Sequence, residues 1–473
     1  MGNDGGPERE DRGVIDEDLA DAQATTRYDA IVSRYKVDYD RWNQSETIEL
    51  PNSVRVVQGY TDGQDAGSLS VFARSDVYLR PDVQGSTVAG VRQLASGNLP
   101  RGAQVSIGAN GAGEGAPVGD PLARNVVIDR SAVTLPAGFG RGDALPAALS
   151  GTVTIDASLL AEGRVAELSV LTSQAAEVRS ALRTGAGGKV DIAAQNIQIN
   201  ADIVTPGGSI LLKASNLNPN DTSSNRVGIA DGVTLSVAGT WVNRLSGVSG
   251  ASAAPVLDGG TINIGATSEV NNGQYVGEGS IALGEGVRLD ADGGALLTEQ
   301  GQLRDGAGGS IVLSALKLQG LENTNLSAFG LNEGGSLSVT TQNITIGGVP
   351  PAVPVAGDLH LAAETLTQGG FADYNLKALE NLEVVDQTAV RPVVAHRNLN
   401  ADFRAQATGA SMASISATGV RDPLQREGAS LSLTALENAT DTGDLRIGQG
   451  ASIEVDPGAS ISLTGRKRLA IEG

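Results

Sequence analysis

The side chains that could perform acid–base, nucleophilic or metal chemistry are few in this chain and far apart. The sequence contains two histidines, His360 and His396, and no cysteine. Neither histidine has a second ligand at metal-site spacing, so no metal site is predicted and both imidazoles are expected at the surface or at corners. The sequence therefore predicts neither a metal centre nor a thiol nucleophile.

Two further motifs have a chemical interpretation and a structural one. Asp290 and Asp292 would share one face of a strand, and polysaccharide-cleaving enzymes need such carboxylates, clustered with basic side chains. The surrounding stretch Leu289–Gly294 instead looks like a strand leaving into a turn. Gly111–Ala116 matches a dinucleotide-binding fingerprint, but the prolines that follow oppose the helix that a phosphate site requires. We expect no catalytic centre and no cofactor.

An Arg-Gly-Asp tripeptide is the clearest candidate for recognition. Arg141, Gly142 and Asp143 lie in the Pro- and Gly-rich stretch Leu135–Pro146. When exposed, this tripeptide presents a cation and a carboxylate at a fixed reach, which is the arrangement that integrin receptors recognise. The same three residues also arise by chance in a glycine-rich chain. We expect the loop to project into solvent, with these residues as the candidate receptor-binding site.

The composition predicts an extended, stacked architecture. The chain has 473 residues, of which 63 are glycine and only 3% are aromatic. A length beyond one ordinary core, with few large rings to fill it, favours a thin solenoid. The net charge of −20 repels phosphate backbones, so nucleic acid is not expected as a partner. No apolar stretch approaches eighteen residues, so no membrane span is expected.

One pattern recurs: two small residues followed by an apolar–any–apolar strand. Its strong copies begin at Gly187, Gly207, Gly259, Gly308 and Gly334. Alternation puts both apolar side chains on one face and the intervening residue on the other. The paired glycines permit a sharp bend and positive φ. The apolar pairs expected to be buried are Val190/Ile192, Ile210/Leu212, Ile262/Ile264, Ile311/Leu313 and Leu337/Val339, with Asp191, Asn263 and Ser338 exposed.

The spacing of the copies predicts coils. After two of them, Gln-Asn precedes a second strand with the inward pairs Ile197/Ile199 and Ile344/Ile346. Gly187 to Gly207 then spans one coil, and the longer gap from Gly259 to Gly308 fits two coils or one coil with an insertion. A sandwich array or a propeller would show dominant hairpin turns or Trp-Asp marks. The sequence predicts an all-β fold, a right-handed parallel β-helix of roughly twenty coils with a short N-terminal helical segment.

The chain divides by composition into five segments. Residues 1–24 form an acidic tail that is expected to be disordered. Residues 25–48 predict an amphipathic helix, either capping the solenoid or binding a partner, because five apolar residues recur at helical spacing. Residues 49–347 predict the β-helix, 348–427 irregular coils or an insertion, and 428–473 further coils that stop in mid-stack, as in a piece of a longer protein. The apolar residues of the predicted helix are Tyr28, Ile31, Tyr35, Tyr39 and Trp42.

The Gly-Gly strand starts, the Gln-Asn-Ile corners, the lack of cysteine and the acidic balance together resemble the filamentous haemagglutinin family. These are large exoproteins of Gram-negative two-partner secretion, and the resemblance covers about residues 49–473. It implies a β-helical passenger exported through an outer-membrane β-barrel transporter. The family's secretion domain carries Asn-Pro-Asn motifs near its N-terminus. Asn218-Pro219-Asn220 lies in mid-chain and is followed by Asp221 where the family has Gly, so that domain is not expected here.

The function expected from the resemblance is structural, and no enzyme activity is expected. The chain would be the shaft of a secreted bacterial surface exoprotein that mediates adhesion or displays a distal effector. Its partners would be the outer-membrane transporter and a receptor or glycan on a host or neighbouring cell. The alternative is a carbohydrate-active β-helix enzyme or a phage tailspike-like protein, which a groove lined by aligned Asp, Glu and Arg would favour.

Overall fold

The computed structural model divides the chain into two compact units, Met1–Thr61 and Asp62–Gly473. It describes residues 32–39, 41–51, 62–72, 78–79, 83–90, 92–93, 99–108, 124–130, 134–147, 149–163, 165–216, 223–245, 255–266, 269–271, 274–276, 278–351, 355, 357–436 and 442–472. The predicted disordered tail, Tyr28 and Ile31 lie outside the described residues. No helix in the described part is long and apolar enough to cross a membrane.

The first unit contains a β-hairpin where the helical periodicity predicts a helix. Strands Val32–Tyr39 and Gln44–Pro51 pair antiparallel, and Asn43 takes a φ of 47° in the turn between them. The helix prediction for residues 25–48 is therefore wrong in this region. Tyr35 and Tyr39 fit strand alternation as well as helical spacing, whereas Trp42 lies in the turn, and the β-branched Val37, Thr47 and Ile48 favour the extended form.

The second unit is a parallel β-helix, as the repeats predict. Eleven parallel strands form one long sheet, and their order in space is their order in the chain, because each coil lies directly on the one before it. The strands are Ser68–Val71, Ala103–Ile107, Val165–Leu171, Lys189–Ala194, Ser209–Ala214, Thr261–Ala266, Ser310–Ala315, Gly335–Thr341, Phe371–Ala378, Ser430–Ala435 and Ile461–Gly465.

Shorter parallel sheets form the other faces of the coils. The second face has Tyr78–Leu79, Thr152–Asp156, Asn125–Asp129, Ala175–Val178, Asn196–Ile199, Asn225–Ile229, Gly279–Leu283 and Lys317–Gln319 in spatial order, then Asp358–Leu361, Asn343–Ile346, Leu382–Val384, Asp444–Ile447 and Arg468–Ile471 in a second sheet. The third face has Leu182–Arg183, Ile203–Val204, Thr234–Ser236, Arg288–Asp290 and Asn325–Ser327, and the separate pair Ala389–Val390 and Ser452–Ile453. Short 3-10 helices are Ala157–Gly163, Leu321–Asn323, Ala363–Thr367 and Phe403–Ala405.

Apolar side chains form continuous rows through the interior. Val190, Ile210 and Ile262 are register partners in successive coils, and every predicted inward pair is buried. Asn263 is exposed, and Asp191 and Ser338 are half-buried on the outer face. The predicted buried face is thus confirmed, whereas the predicted exposure holds for Asn263 but not for Asp191 and Ser338.

The described residues form fewer coils than expected. Within them the long sheet has eleven strands, where the repeat length predicts roughly twenty coils. Insertions account for the difference, since Thr261–Ala266 pairs directly with Ser310–Ala315 and the gap between Gly259 and Gly308 is one coil with an insertion. Within residues 348–427, Phe371–Ala378 is likewise a regular strand of the long sheet, followed by a further insertion.

The second residue of each Gly-Gly start is glycine because these residues lie directly above one another in successive coils. This column is here called the glycine stack. A Cβ on Gly208 would lie 1.9 Å from the carbonyl oxygen of Gly188 in the coil below, and one on Gly260 would lie 1.9 Å from that of Gly208. The next members, Gly309 and Gly335, repeat the contact at 2.1 and 2.2 Å. Positive φ is found at the first glycine of only the first two strong copies, at 72° and 57°. Close approach of backbones, more than positive φ, therefore requires these glycines.

Segments that leave the coils form a lateral module on the side of the β-helix. It consists of strands Trp241–Asn243, Ala295–Leu297 and Leu303–Asp305, the strand pair His396–Leu399 and Ser416–Gly419, and helix Met412–Ile415. Trp241, Met412 and Ile415 belong to a small core separate from that of the coils. A second insertion, Glu269–Asn271 with Gln274–Val276, forms a hairpin.

Candidate functional site

The Arg-Gly-Asp tripeptide lies on a surface loop, as predicted. Residues 130–151 connect Asn125–Asp129 to Thr152–Asp156, two parallel neighbours on the second face of the coils. Arg141, Gly142 and Asp143 are all exposed. The part of the prediction that concerns accessibility is confirmed.

A tight turn sets the conformation of the tripeptide. The Asp143 backbone N–H donates to the Gly140 carbonyl at 3.2 Å, and the Gly140 N–H donates to Oδ2 of the Asp143 carboxylate at 2.7 Å. Gly142 has a φ of 96°, a conformation that favours glycine. The turn therefore fixes the direction of the aspartate side chain before any ligand binds.

A groove of about 720 Å³ crosses the outer face of the long sheet. Its lining is mostly apolar, from Leu211, Leu316 and Leu379, with Lys213 among the polar groups. Asp191 supplies the carboxylate of the described lining and forms an ion pair with Lys189, with 2.9 Å between Nζ and Oδ2. Aligned acidic and basic groups, which polysaccharide cleavage would need, are not brought together in this groove.

Asp290 and Asp292 lie in one polar cluster, where Asp290 is half-buried and Asp292 is buried. Asp290 accepts hydrogen bonds from the hydroxyls of Ser236 and Ser327, and Asp292 is 4% exposed. Asp292 accepts hydrogen bonds from Arg397 Nε and from the Phe329 backbone N–H, both at 2.9 Å. Burial, and then the Asp290 charge, raise the pKa of Asp292, while Arg397 opposes this shift. The pair joins coil to lateral module rather than facing a substrate space.

Arg397 is the buried charged residue that sequence reasoning missed. Its guanidinium lies over the Phe329 ring at 5.0 Å and pairs with a carboxylate 105 residues away in the chain. A local signal did exist, because Arg397 follows the apolar run Val393–Ala395. A charge in such a run indicates a buried partner, but not which residue supplies it.

The histidines differ in environment. His360 is half-buried on an edge strand, whereas His396 has no exposed surface, so the prediction of a surface or corner position is wrong for His396. Neither ring nitrogen of His396 has a hydrogen-bond partner. Burial lowers the pKa of His396, and the charges of Arg421 and Arg426 lower it further. Across the described ranges, no three His, Cys, Asp or Glu side chains are grouped so that they could hold a metal ion.

Two sequence motifs lie outside the described residues. These are the Gly111–Ala116 fingerprint and Asn218–Asn220. Comparison with known proteins adds no family: no protein-family model, no curated protein and no solved structure matches this chain. The fold and the geometry of the sites described above are thus the basis for proposing a function.

Proposed function

We propose that this chain is the shaft of a large secreted bacterial surface exoprotein, exported through an outer-membrane β-barrel of the two-partner type. The observation that carries the proposal is the long sheet, whose eleven strands follow chain order without a change of direction. Such a fold grows in one dimension and contacts only its neighbouring coils, which suits a spacer that holds a binding surface away from a cell.

Three features support a structural role over an enzymatic one. The two aspartates that resemble a catalytic pair are engaged with serines, a buried arginine and backbone N–H groups. The carboxylate in the groove is paired with a lysine on its own strand. Coils are further joined by surface ion pairs, as where Arg446 contacts Glu383, Asp386 and Glu472. These contacts are structural: one lies within a strand, one joins a coil to the lateral module, and those of Arg446 join coils.

The proposal is tested by locating the protein on intact cells of its source bacterium. We expect protease added outside the cells to degrade the chain while a cytoplasmic marker survives. Deleting the gene for the β-barrel partner is expected to remove the chain from the surface, and restoring that gene is expected to return it. Protection of the chain in cells with an intact partner gene would contradict the proposal.

Adhesion through the tripeptide gives a separate expected result. The substitution Asp143→Glu moves the carboxylate by one methylene and disturbs its hydrogen bond to Gly140 N–H. We expect attachment of integrin-bearing cells to fall about tenfold, since one charge-assisted contact is worth roughly 1.5 kcal/mol. The measurement is cell attachment to immobilised protein, with circular dichroism to verify the fold.

Asp422→Glu is the matched control for this experiment. Asp422 is also an exposed loop aspartate whose carboxylate accepts a backbone N–H, that of Leu424 at 3.0 Å. We expect its attachment to equal that of the wild type. If Asp143→Glu attaches as well as the control, the tripeptide has no role in adhesion, although the shaft proposal would stand.

A further inference from the structure

His396 occupies an unusual place at the base of the lateral module. It begins the strand His396–Leu399, immediately before Arg397, and its side chain is fully buried. Both of its ring nitrogens lack a hydrogen-bond partner. A neutral imidazole tolerates this at a modest cost, but an imidazolium would bury a charge and two donors without acceptors.

The charged groups around His396 disfavour a positive charge there. Besides Arg397 on its own strand, Arg421 and Arg426 follow the partner strand Ser416–Gly419, and their charges act on the imidazole. Arg421 is held in place by the Asn332 side chain at 3.0 Å and the Leu331 carbonyl at 2.5 Å. The cations that act on the imidazole therefore lie on the segment that follows the partner strand, whereas the Arg397 guanidinium is directed to Asp292 and Phe329.

The carboxylates of this region bind groups other than the His396 imidazole. Asp292 binds Arg397, and Asp456 receives hydrogen bonds from Arg426 Nε and Nη2 at 2.6 and 2.7 Å. Glu427 accepts the Gly334 backbone N–H at 2.8 Å. Two further carboxylates, those of Glu333 and Asp373, raise the pKa of Glu427. The carboxylate of Asp422 raises the pKa of Arg426. None of these carboxylates acts on His396 strongly enough to favour its protonation.

The outer part of the module has its own hydrogen bonds and its own small apolar core. The Trp241 Nε1–H donates to the Gln406 carbonyl at 3.2 Å, and the Asn243 side-chain amide donates to the carbonyls of Arg404 and Gln406 at 2.9 Å. The coils, by contrast, are held by the eleven-stranded ladder. The module strands do not belong to this ladder, so the module can open at its contacts with the coils while the coils remain paired.

We propose that protonation of His396 opens the lateral module, so that mild acid exposes the core around Trp241 while the β-helix stays folded. The sign of the linkage follows from the direction of the shift. The pKa of His396 is lowered in the closed state, so the open state binds the proton more tightly. The closed state therefore loses stability as the pH falls below about 6.5, the ordinary histidine value, and the open-to-closed ratio rises by up to about tenfold per pH unit.

Two carboxyl groups work in the opposite direction. Burial raises the pKa of Asp292 and of Glu427, so the closed state binds these protons more tightly and gains stability as the pH falls. Substituting His396 leaves both carboxyls in place. A comparison of wild type and variant therefore isolates the contribution of the imidazole.

Trp241 is the natural reporter for the test. The chain has two tryptophans, and Trp42 lies in the first unit, so Trp42→Phe leaves Trp241 as the single emitter. Between pH 7.5 and 5 we expect its emission to shift to the red, and hydrogen exchange to rise in residues 396–419 but not in the long sheet. His396→Phe is expected to abolish this transition, and His360→Gln, which alters the other histidine, is expected to keep it.

A direct titration keeps the proposal testable even if His396→Phe fails to fold. In protein labelled at histidine, two imidazole NMR signals are expected, which single substitutions at His360 and His396 assign. The proposal requires the His396 signal to change in the same pH range as the Trp241 emission. It is overturned if His396 titrates without a change in emission, if emission changes while His396 remains neutral, or if His396→Phe shows the wild-type transition.

Discussion

Gly260→Ala is expected to destabilise the middle coils by about 3 kcal/mol or more, although it adds a single methyl group. The new Cβ would lie 1.9 Å from the Gly208 carbonyl oxygen, which itself accepts the Thr261 N–H at 3.0 Å. The atom it meets is backbone, so no side chain can rotate away. The coils must separate at that point, which weakens the ladder. Chemical denaturation followed by circular dichroism measures the loss.

Gly265→Ala supplies a matched control, because Gly265 lies five residues after Gly260, on the strand Thr261–Ala266. A Cβ on Gly265 would meet only the Ser314 carbonyl oxygen, at 3.9 Å, which is an ordinary contact. We expect its stability to lie within about 1 kcal/mol of the wild type, because alanine also lowers the entropy of the unfolded chain. If the two variants unfold at the same denaturant concentration, close packing of the glycine stack does not explain the repeat.

Asp292→Asn is expected to weaken attachment of the lateral module by about 3 to 5 kcal/mol. Removing one partner of a buried ion pair leaves the other charge without compensation, here the Arg397 guanidinium, whose side chain is 9% exposed. The expected readouts are Trp241 emission and hydrogen exchange in residues 396–419 at neutral pH. The long sheet is expected to keep its protection, since the pair lies between the module and the coils.

Two further variants separate the buried ion pair from ion pairs in general. The double substitution Asp292→Leu with Arg397→Met removes both charges and is expected to recover most of the loss, because apolar replacement of a complete pair is often neutral. Arg391→Gln breaks an exposed pair with Glu454, where 3.0 Å separates Nε and Oε2, and is expected to cost less than about 1 kcal/mol. Equal losses for Asp292→Asn and Arg391→Gln would show that burial of the pair is unimportant.

The repeat could be interpreted correctly from sequence because it is local and self-similar. The alternation in Val190–Ile192 or Ile262–Ile264 identifies the buried face without knowledge of the neighbouring coil. The hairpin in the first unit could not be interpreted in this way. The spacing of Tyr35 and Tyr39 fits a helix as well as alternating strand positions. Trp42 continues the helical spacing but lies in the turn, and the pairing with Gln44–Pro51 decides between the two.

Among the candidate sites, too, some features could be predicted from the local sequence and others could not. Exposure of Arg141, Gly142 and Asp143 follows from a Pro- and Gly-rich context, and the structure confirms it. The burial of His396 and the partner of Asp292 do not follow from any short stretch of sequence. The partner of Asp292 is supplied by a segment that lies 105 residues later in the chain. His396 is buried at the start of the strand that pairs with Ser416–Gly419 in the same segment.

By itself, the sequence determined the β-helix, the inward rows and the exposed loop, because each depends on residues close together in the chain. Only the tertiary structure decided three other features: the meeting of successive glycines in one stack, the formation of the lateral module, and the burial of His396 beside cations. These features depend on contacts between coils and between insertions. For such contacts, the separation of two residues in the sequence does not indicate their distance in space. The physical reason is that each coil of a solenoid repeats the same local pattern along the axis. The conformation of an insertion depends instead on its packing against the surface of the coils and against other insertions.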